Sequence, residues 1–199
     1  MMASIVSKHF LWGGITDVGY GREQNEDAVR LVDLSEDVTL LIVTDGTGSR
    51  PGGMQPAQIV NHEIESMIRR IHDENKELLI SEPGLFLRES LLVSNRVLGA
   101  FVIANEEKNS GFGASCTVCL LYGRDNFCFA HCGNTRLYLL REKSDKSMHI
   151  RQLTRDHTKA IRLVDEGLIT VEEYHTHPDR LTYTSGLGNY AYPDIQIFF

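Results

Sequence analysis

One short apolar segment limits the folds that this chain can adopt. Residues 38–43 read Val-Thr-Leu-Leu-Ile-Val, a β-branched run that is apolar at five of its six positions. Such a run is typical of a strand that is buried on both faces of a sheet. It ends at Thr44, Asp45 and Gly46. The sequence therefore predicts a core strand with a carboxylate at its end.

The other predicted elements follow in the order strands, helix pair, strands. Helical periodicity predicts a helix over residues 55–71, and Pro83 is suited to the first turn of a second helix. Extended patterns cover residues 27–34, 116–122, 127–132, 137–141, 149–153, 180–184 and 194–199, with short helices near 158–166 and 171–175. This order predicts an α+β fold with antiparallel sheets, in one domain over residues 1–199.

Composition and charge exclude several classes of protein. Apolar residues make up 42% of the 199 and charged residues 24%, which is typical of a globular chain. The net charge is −7 and there is no basic run beyond Arg69 and Arg70, so a nucleic-acid partner is not expected. The apolar runs are too short to cross a membrane. Four cysteines without an evident signal peptide favour reduced thiols and a cytoplasmic location.

A zinc site is one interpretation of the cysteines and a nearby histidine, which are Cys116, Cys119, Cys128, His131 and Cys132. Zinc ligands usually lie on tight turns, whereas these residues fall within predicted strands. Cys116 and Cys119 are three apart, so their side chains would point to opposite faces of a sheet. Buried core thiols are the favoured interpretation.

Two groups of carboxylates carry the densest chemistry in the sequence. Glu26 and Asp27 open one predicted strand, and Asp45 closes another. A carboxylate at the end of a buried strand is costly unless it is paired or binds a metal. Mg²⁺ and Mn²⁺ prefer oxygen ligands, and Gly46 would allow its carbonyl to approach an ion. An ordinary polar turn remains the alternative.

Six stretches in a fixed order resemble the metal-dependent protein phosphatases, the PPM or protein phosphatase 2C family. Arg22-x-x-Asn-Glu-Asp and Asp45-Gly46-x-Gly resemble the first two motifs of that family. Residues 113–117, 130–141, 152–158 and 163–188 resemble later ones in the same order. Each stretch is a weak signal by itself, but the ordered set is specific. The resemblance covers the chain from about Ile15 to its end.

The resemblance implies two antiparallel sheets packed as a sandwich, flanked by helix pairs, with a site for two Mn²⁺ or Mg²⁺ ions. In the family the aspartate at position Asp45 bridges both ions and the carbonyl at Gly46 binds one. Glu26 and Asp27 match the acidic pair that holds metal directly or through water. Arg22 matches the arginine that grips the substrate phosphate, and a guanidinium is suited to holding two phosphate oxygens.

By the same resemblance, the expected reaction is hydrolysis of phosphoserine and phosphothreonine in proteins by a hydroxide that bridges the metals. The substrate would be a protein phosphorylated by an opposing serine/threonine kinase. Asn134 stands where the family has an aspartate that helps bind a third metal, so a third ion should bind weakly or not at all. The oligomeric state is left open.

The family's last two aspartate motifs have no counterpart before Phe199, so the expectation is a domain that lacks its C-terminal part. Three explanations are open: a fragment or truncated product of an active phosphatase, an inactive phosphoprotein-binding relative, or a chain that borrows ligands from a second chain. The first is favoured. Low or absent turnover is expected for these 199 residues alone.

Overall fold

The computed structural model of the chain describes residues 10–48, 54–104 and 111–199. Residues 1–9, where the sequence predicts no signal peptide, lie outside these ranges. The strands are β1 (Asp27–Ser35), β2 (Val38–Thr47), β3 (Gly113–Tyr122), β4 (Asn126–Cys132), β5 (Tyr138–Glu142), β6 (Met148–Gln152) and β7 (Gln196–Phe198). They form two antiparallel sheets, one with five strands in the order β1-β2-β3-β4-β7 and one with β5 and β6.

The predicted core strand is longer than the sequence indicated. β2 continues to Thr47, so Asp45 and Gly46 lie within the strand and not in a turn after it. β2 is hydrogen-bonded to β1 on one side and to β3 on the other, and both ladders continue as far as Asp45. The prediction that the strand ends at residues 44–46 is therefore wrong, because pairing on both sides extends it.

Two long helices cover one face of the large sheet. They are α1 (Met54–Ser81) and α2 (Pro83–Ala104). α1 extends beyond the predicted end at Ile71, with a kink at Asn75, whose backbone is not helical. The Asn75 side-chain oxygen accepts a hydrogen bond from the Leu78 amide at 3.0 Å, which caps the segment after the kink.

The core lies between this helix pair and the sheet. Alternate residues of the central strands point toward the helices, as the two-residue period of a strand requires. Fully buried members from the strands are Val38, Leu40, Ile42, Cys116, Val118, Leu120, Cys128, Ala130 and Cys132. Fully buried members from the helices are Val60, Ile64, Ile68, Leu79, Leu87, Leu91 and Leu98. Spacings of three and four residues place the helix members on one side of each helix.

All four cysteines are buried free thiols. Cys116 belongs to the helix-facing core, whereas Cys119, three residues along the same strand, points to the opposite face, as predicted. Burial raises the pKa of Cys116 to about 12, so its thiol stays protonated at neutral pH. The interpretation as core thiols is confirmed.

The C-terminal half adds shorter elements after β6: α3 (Lys159–Asp165), α4 (Val171–Tyr174) and a 3₁₀ helix (Pro178–Leu181). The strand predicted over residues 180–184 is wrong. His177 caps the 3₁₀ helix by accepting a hydrogen bond from the Asp179 amide at 3.1 Å, and Pro178 begins it. Tyr183 then makes a single bridge with Thr158.

The predicted α+β fold, with antiparallel sheets and a helix pair, is confirmed. The smaller sheet consists of the β5–β6 hairpin, whose side chains are mostly exposed, among them Leu140, Met148 and Ile150. No helix in the described ranges has the length and apolar character needed to span a membrane.

An ion pair that the sequence did not reveal fixes the region after β4. The Arg136 guanidinium donates through Nε and Nη2 to both oxygens of Asp156, at distances from 2.6 to 3.2 Å. Asp156 is buried, and its Oδ2 also accepts a hydrogen bond from the Tyr174 hydroxyl at 2.5 Å. This arrangement ties the segment before β5 to α4.

We predict that Arg136→Met lowers the free energy of unfolding by about 3 kcal/mol, because it leaves the buried Asp156 carboxylate without its cation. The matched control is Arg155→Met, which removes an exposed pair with Asp165 and should cost no more than about 0.5 kcal/mol. Urea unfolding of the two variants measures the difference. Equal losses would contradict a structural role for the buried pair.

Candidate metal centre

A cleft of about 530 Å³ opens at the end of the large sheet where Asp45 lies. All five residues that the sequence singled out line it, together with the residue that departs from the family pattern: Arg22, Glu26, Asp27, Asp45, Gly46 and Asn134. Its described lining also includes the carboxylate of Asp17. The structure thus brings the predicted site residues into one cavity.

The β1–β2 ladder sets two carboxylates against each other. Asp27 and Asp45 are directly opposite in the register, so their side chains leave the same face of the sheet. Burial and the neighbouring carboxylates of Asp27 and Glu26 raise the pKa of Asp45 to about 6, although Arg22 opposes this rise. The carboxylates of the site therefore carry more negative charge than the Arg22 guanidinium neutralises.

Glu26 takes a different partner from the aspartate pair. Its Oε2 accepts a hydrogen bond from Arg22 Nη1 at 3.1 Å, and its backbone oxygen accepts one from the Gly46 amide at 3.1 Å. The backbone contact fixes residue 26 beside the end of β2. Arg22 itself is exposed over 71% of its side chain, so its guanidinium lies at the mouth of the cleft.

Short-range hydrogen bonds hold the chain where it enters β1. The Asn25 side-chain oxygen accepts from the Asp27 amide at 3.0 Å, and its nitrogen donates to Thr16 Oγ1 at 2.7 Å. Asn side chains commonly stabilise a turn by bonding the backbone two residues later. The asparagine of the first motif thus sets the direction of Asp27.

Asn134 and Tyr183 also line the cleft. The Tyr183 hydroxyl donates to Asn134 Oδ1 at 2.9 Å. Burial and the charge of Asp45 raise the pKa of Tyr183, so the phenol keeps its proton. Sequence reasoning missed Tyr183, because the segment around it was assigned to a strand without chemical function.

Two neighbouring residues lie in stretches that resemble family motifs, but the sequence analysis assigned no role to them. Ser115 lies directly opposite Asp45 in the β2–β3 register, and its buried hydroxyl has no hydrogen-bond partner among the described residues. Gly133 has φ = +105°, and a Cβ there would lie 2.2 Å from Ser115 Cβ. The sequence shows that these residues are small, but it does not show that Ser115 pairs with Asp45 or that Gly133 packs against Ser115.

The donor set fits a hard divalent cation. Two facing carboxylates with uncompensated charge and an unpaired buried hydroxyl beside them are oxygen groups of the kind that Mg²⁺ and Mn²⁺ bind. Within residues 10–48, 54–104 and 111–199, however, no three His, Cys, Asp or Glu side chains gather closely enough to hold an ion. Glu26 is turned toward Arg22 and does not complete such a group.

His157 fixes the loop that contains Gly133. Its ring Nδ1 accepts from the Gly133 amide at 3.1 Å, and its own amide donates to the Gly133 oxygen at 2.6 Å. His177 caps the 3₁₀ helix, and His175 packs edge-on against Tyr174. None of these three histidines is among the residues that line the cleft.

Known proteins with similar sequences are serine/threonine phosphatases. The chain is 32% identical over 168 residues to serine/threonine protein phosphatase PstP of Mycobacterium tuberculosis, covering 83% of this chain and 28% of that protein. It is 27% identical over 174 residues to a putative protein phosphatase 2C-type of Streptococcus pyogenes, covering 87% and 65%. No family model matches the chain.

Solved structures of serine/threonine phosphatases have a fold similar to that of this chain. Serine/threonine phosphatase Stp1 from Staphylococcus aureus superposes with a TM-score of 0.78 at 28% identity, over 92% of this chain and 68% of that one. The catalytic domain of PstP in complex with two manganese ions superposes with a TM-score of 0.68 at 27% identity, over 92% and 70%.

The fold is therefore that of the bacterial serine/threonine phosphatases. The chain belongs to the metal-dependent protein phosphatase family, the PPM or protein phosphatase 2C family. It spans 28% of the length of the mycobacterial relative and 65% of the streptococcal one.

We predict that Asp45→Asn stabilises the metal-free chain at pH 7.5. The folded state holds the Asp45 proton more tightly than the unfolded state, since the pKa is about 6 instead of 3.8. Stability is consequently lost as pH rises from about 4 through 6, and the neutral amide removes that loss. The gain at pH 7.5 is about 1–2 kcal/mol after allowance for solvent screening.

Urea unfolding at pH 4.5 and 7.5 in the presence of EDTA measures this effect. The gain should be largely absent at pH 4.5. The control Asp165→Asn, at an exposed carboxylate outside the cleft, should show no gain at either pH. Destabilisation by Asp45→Asn at pH 7.5 would show that the carboxylate is already satisfied without metal.

Proposed function

We propose that this chain is the site-bearing part of a metal-dependent protein serine/threonine phosphatase. The observation that carries the proposal is the pair of facing carboxylates, Asp27 and Asp45, in a cleft whose mouth carries Arg22. A set of this kind suits cations on one side and a phosphate on the other. The phosphatase relatives support the same function.

In this proposal the acidic side of the cleft holds two Mn²⁺ or Mg²⁺ ions. Asp45 and the carbonyl oxygen of Gly46 would hold them, together with Glu26 and Asp27, which would bind directly or through water. Bound there, the ions would supply a nucleophilic water and neutralise the charge on the phosphoryl oxygens. The PstP structure with two manganese ions supports this number of ions.

Arg22 is the residue that we assign to the substrate phosphate. Its guanidinium presents a fork of N–H donors that matches two phosphate oxygens. The exposure of its side chain places the fork where a phosphorylated segment of another protein has access. Binding of phosphate would then compete with Glu26 for the Arg22 donors.

A third ion is not part of the proposal. Asn134 offers a neutral amide where the family resemblance implies an aspartate, and its Oδ1 already accepts from Tyr183. A cation at this wall would lack a charged ligand and would compete with the phenol for the amide oxygen. Weak or absent binding of a third ion follows.

The proposed substrates are proteins carrying phosphoserine or phosphothreonine, phosphorylated by an opposing serine/threonine kinase.

We further propose that residues 1–199 form a single domain. The four buried free thiols support a reducing, cytoplasmic setting.

An inactive phosphoprotein-binding domain is the second candidate function. It is favoured by one observation, since Glu26 faces Arg22 and the described residues bring two carboxylates, not three, together. Such a site would recognise a phosphorylated segment without hydrolysing it. Both candidates use the same cleft, so the experiments below separate them.

We predict that Mn²⁺ binding depends on Asp45. Isothermal titration calorimetry of the unaltered chain should detect two Mn²⁺ sites with submillimolar affinity, and Asp45→Asn should abolish them because it removes the bridging charge. Asp165→Asn, an equal loss of charge on the exposed surface, should leave both sites unchanged. Retention of both sites in Asp45→Asn would refute this placement of the metal centre.

We predict slow Mn²⁺-dependent release of phosphate from a phosphothreonine peptide, because the third carboxylate is engaged by Arg22. Asp45→Asn should reduce this rate at least a hundredfold, and Asp165→Asn should not change it. Binding of the peptide without any hydrolysis would favour the inactive phosphoprotein-binding domain. Neither binding nor hydrolysis would contradict both candidates.

A further inference from the structure

The cleft that contains the carboxylates is also lined by an amide whose orientation is set by a hydrogen bond. Asn134 Oδ1 accepts the hydrogen bond of the Tyr183 hydroxyl at 2.9 Å, and both side chains line the cleft with Asp45. Because the amide oxygen is engaged, the amide nitrogen faces away from the phenol. No hydrogen bond from that nitrogen to another described residue is present in the structure.

The backbone that carries Asn134 is fixed just before it. The Gly133 carbonyl accepts from His131 Nε2 at 3.1 Å and from the His157 amide at 2.6 Å, while the Gly133 amide donates to His157 Nδ1 at 3.1 Å. His131 and His157 are both buried, so these bonds are shielded from water.

Close packing places this loop beside the aspartate pair. Gly133 lies against Ser115, where a Cβ would come within 2.2 Å of Ser115 Cβ. Ser115 is in turn the cross-strand partner of Asp45. Asn134 therefore directly follows a residue that packs against the cross-strand partner of Asp45. The backbone of Gly133, and not a flexible side chain, sets the position of Asn134.

A free amide N–H₂ has a clear chemical preference. It offers two donors and no charge, so it suits an anion with several acceptor oxygens and does not suit a cation. Four of the nine other polar side chains that line the cleft are carboxylates, which repel phosphate and attract metal ions. Asn134 is thus a donor suited to a phosphate oxygen bound in the same cleft as those acids.

We propose that Asn134 donates a hydrogen bond from its amide nitrogen to the phosphate of a bound phosphopeptide, and that Tyr183 is the positioning residue that orients this amide. The inference rests on the proposed function, because it assigns a second phosphate contact, besides Arg22, in the same cleft. It also gives Asn134 a role in place of the third metal ion that it does not support.

Nuclear magnetic resonance of the ¹⁵N-labelled chain in Mg²⁺ tests the contact directly. The Asn134 side-chain N–H₂ signals are assigned by their absence from the Asn134→Ala spectrum. We expect them to shift when a phosphothreonine peptide is added at millimolar concentration, and not when the same peptide is added unphosphorylated. The titration also yields the dissociation constant, even for weak binding.

The variants separate contact from positioning. Asn134→Ala should weaken phosphopeptide binding about fivefold, as expected for one lost hydrogen bond. Tyr183→Phe should weaken it about threefold and move the Asn134 N–H₂ signals, and the double variant should bind no more weakly than Asn134→Ala. Tyr192→Phe, which removes a phenol hydroxyl from an exposed tyrosine, should have no effect.

Three results would overturn the inference alone: phosphopeptide affinity unchanged in both variants, independent and additive losses in the double variant, or an equal loss of Mg²⁺ affinity in Asn134→Ala measured without peptide. Failure of the unaltered chain to bind the phosphopeptide would overturn the proposed function as well. Preserved backbone spectra confirm that each variant is folded, and Tyr183→Phe retains the ring that packs in the wall.

Discussion

The repulsion between Asp27 and Asp45 is the interaction on which the organisation of this molecule depends. Antiparallel pairing of β1 and β2 places the two carboxylates on one face at directly opposed positions, and partial burial of Asp45 reduces the screening between them. Cross-strand pairs of like charge are destabilising. Protonation of Asp45 relieves this repulsion at low pH, and in the proposed function a bound cation would relieve it at neutral pH.

The rest of the fold is arranged so that this local cost is tolerated. The face of the sheet opposite the carboxylates packs against α1 and α2, and its central residues are fully buried. Buried apolar side chains of that size each contribute about 1.5–3 kcal/mol. The core side chains and the carboxylates of the cleft thus lie on opposite faces of the same strands. In β2, side chains alternate between the two faces, so Ile42 lies on one face and Asp45 on the other.

Much of this could be predicted from the sequence, for identifiable reasons. The apolar β-branched run predicted β2, and the spacing of apolar residues predicted both long helices. The order of the motifs along the chain indicated the phosphatase family. These signals are local, or depend on order along the chain, and sequence carries both kinds of information.

What the sequence could not reveal depends on contacts between distant residues. The opposition of Asp27 to Asp45 is a matter of register, and the Arg136–Asp156 pair joins residues 20 apart. The strand predicted over residues 180–184 failed because a cap by His177 and a proline favour a 3₁₀ turn over extension. The role of Tyr183 depends on its hydrogen bond with Asn134, which is a contact between residues that are distant in the sequence.

The network around Gly133 extends the same reasoning to the last strand. Gln196 of β7 places its amide nitrogen 2.9 Å from His157 Nε2, and His157 holds Gly133, which precedes Asn134. The register of β7 on β4 pairs Gln196 with His131, the second histidine that contacts Gly133. Because both histidines are buried next to β7, pairing of this edge strand and the position of the cleft wall are coupled. A change in how β7 pairs would therefore reach the site through the backbone of Gly133, without contact between β7 and the carboxylates.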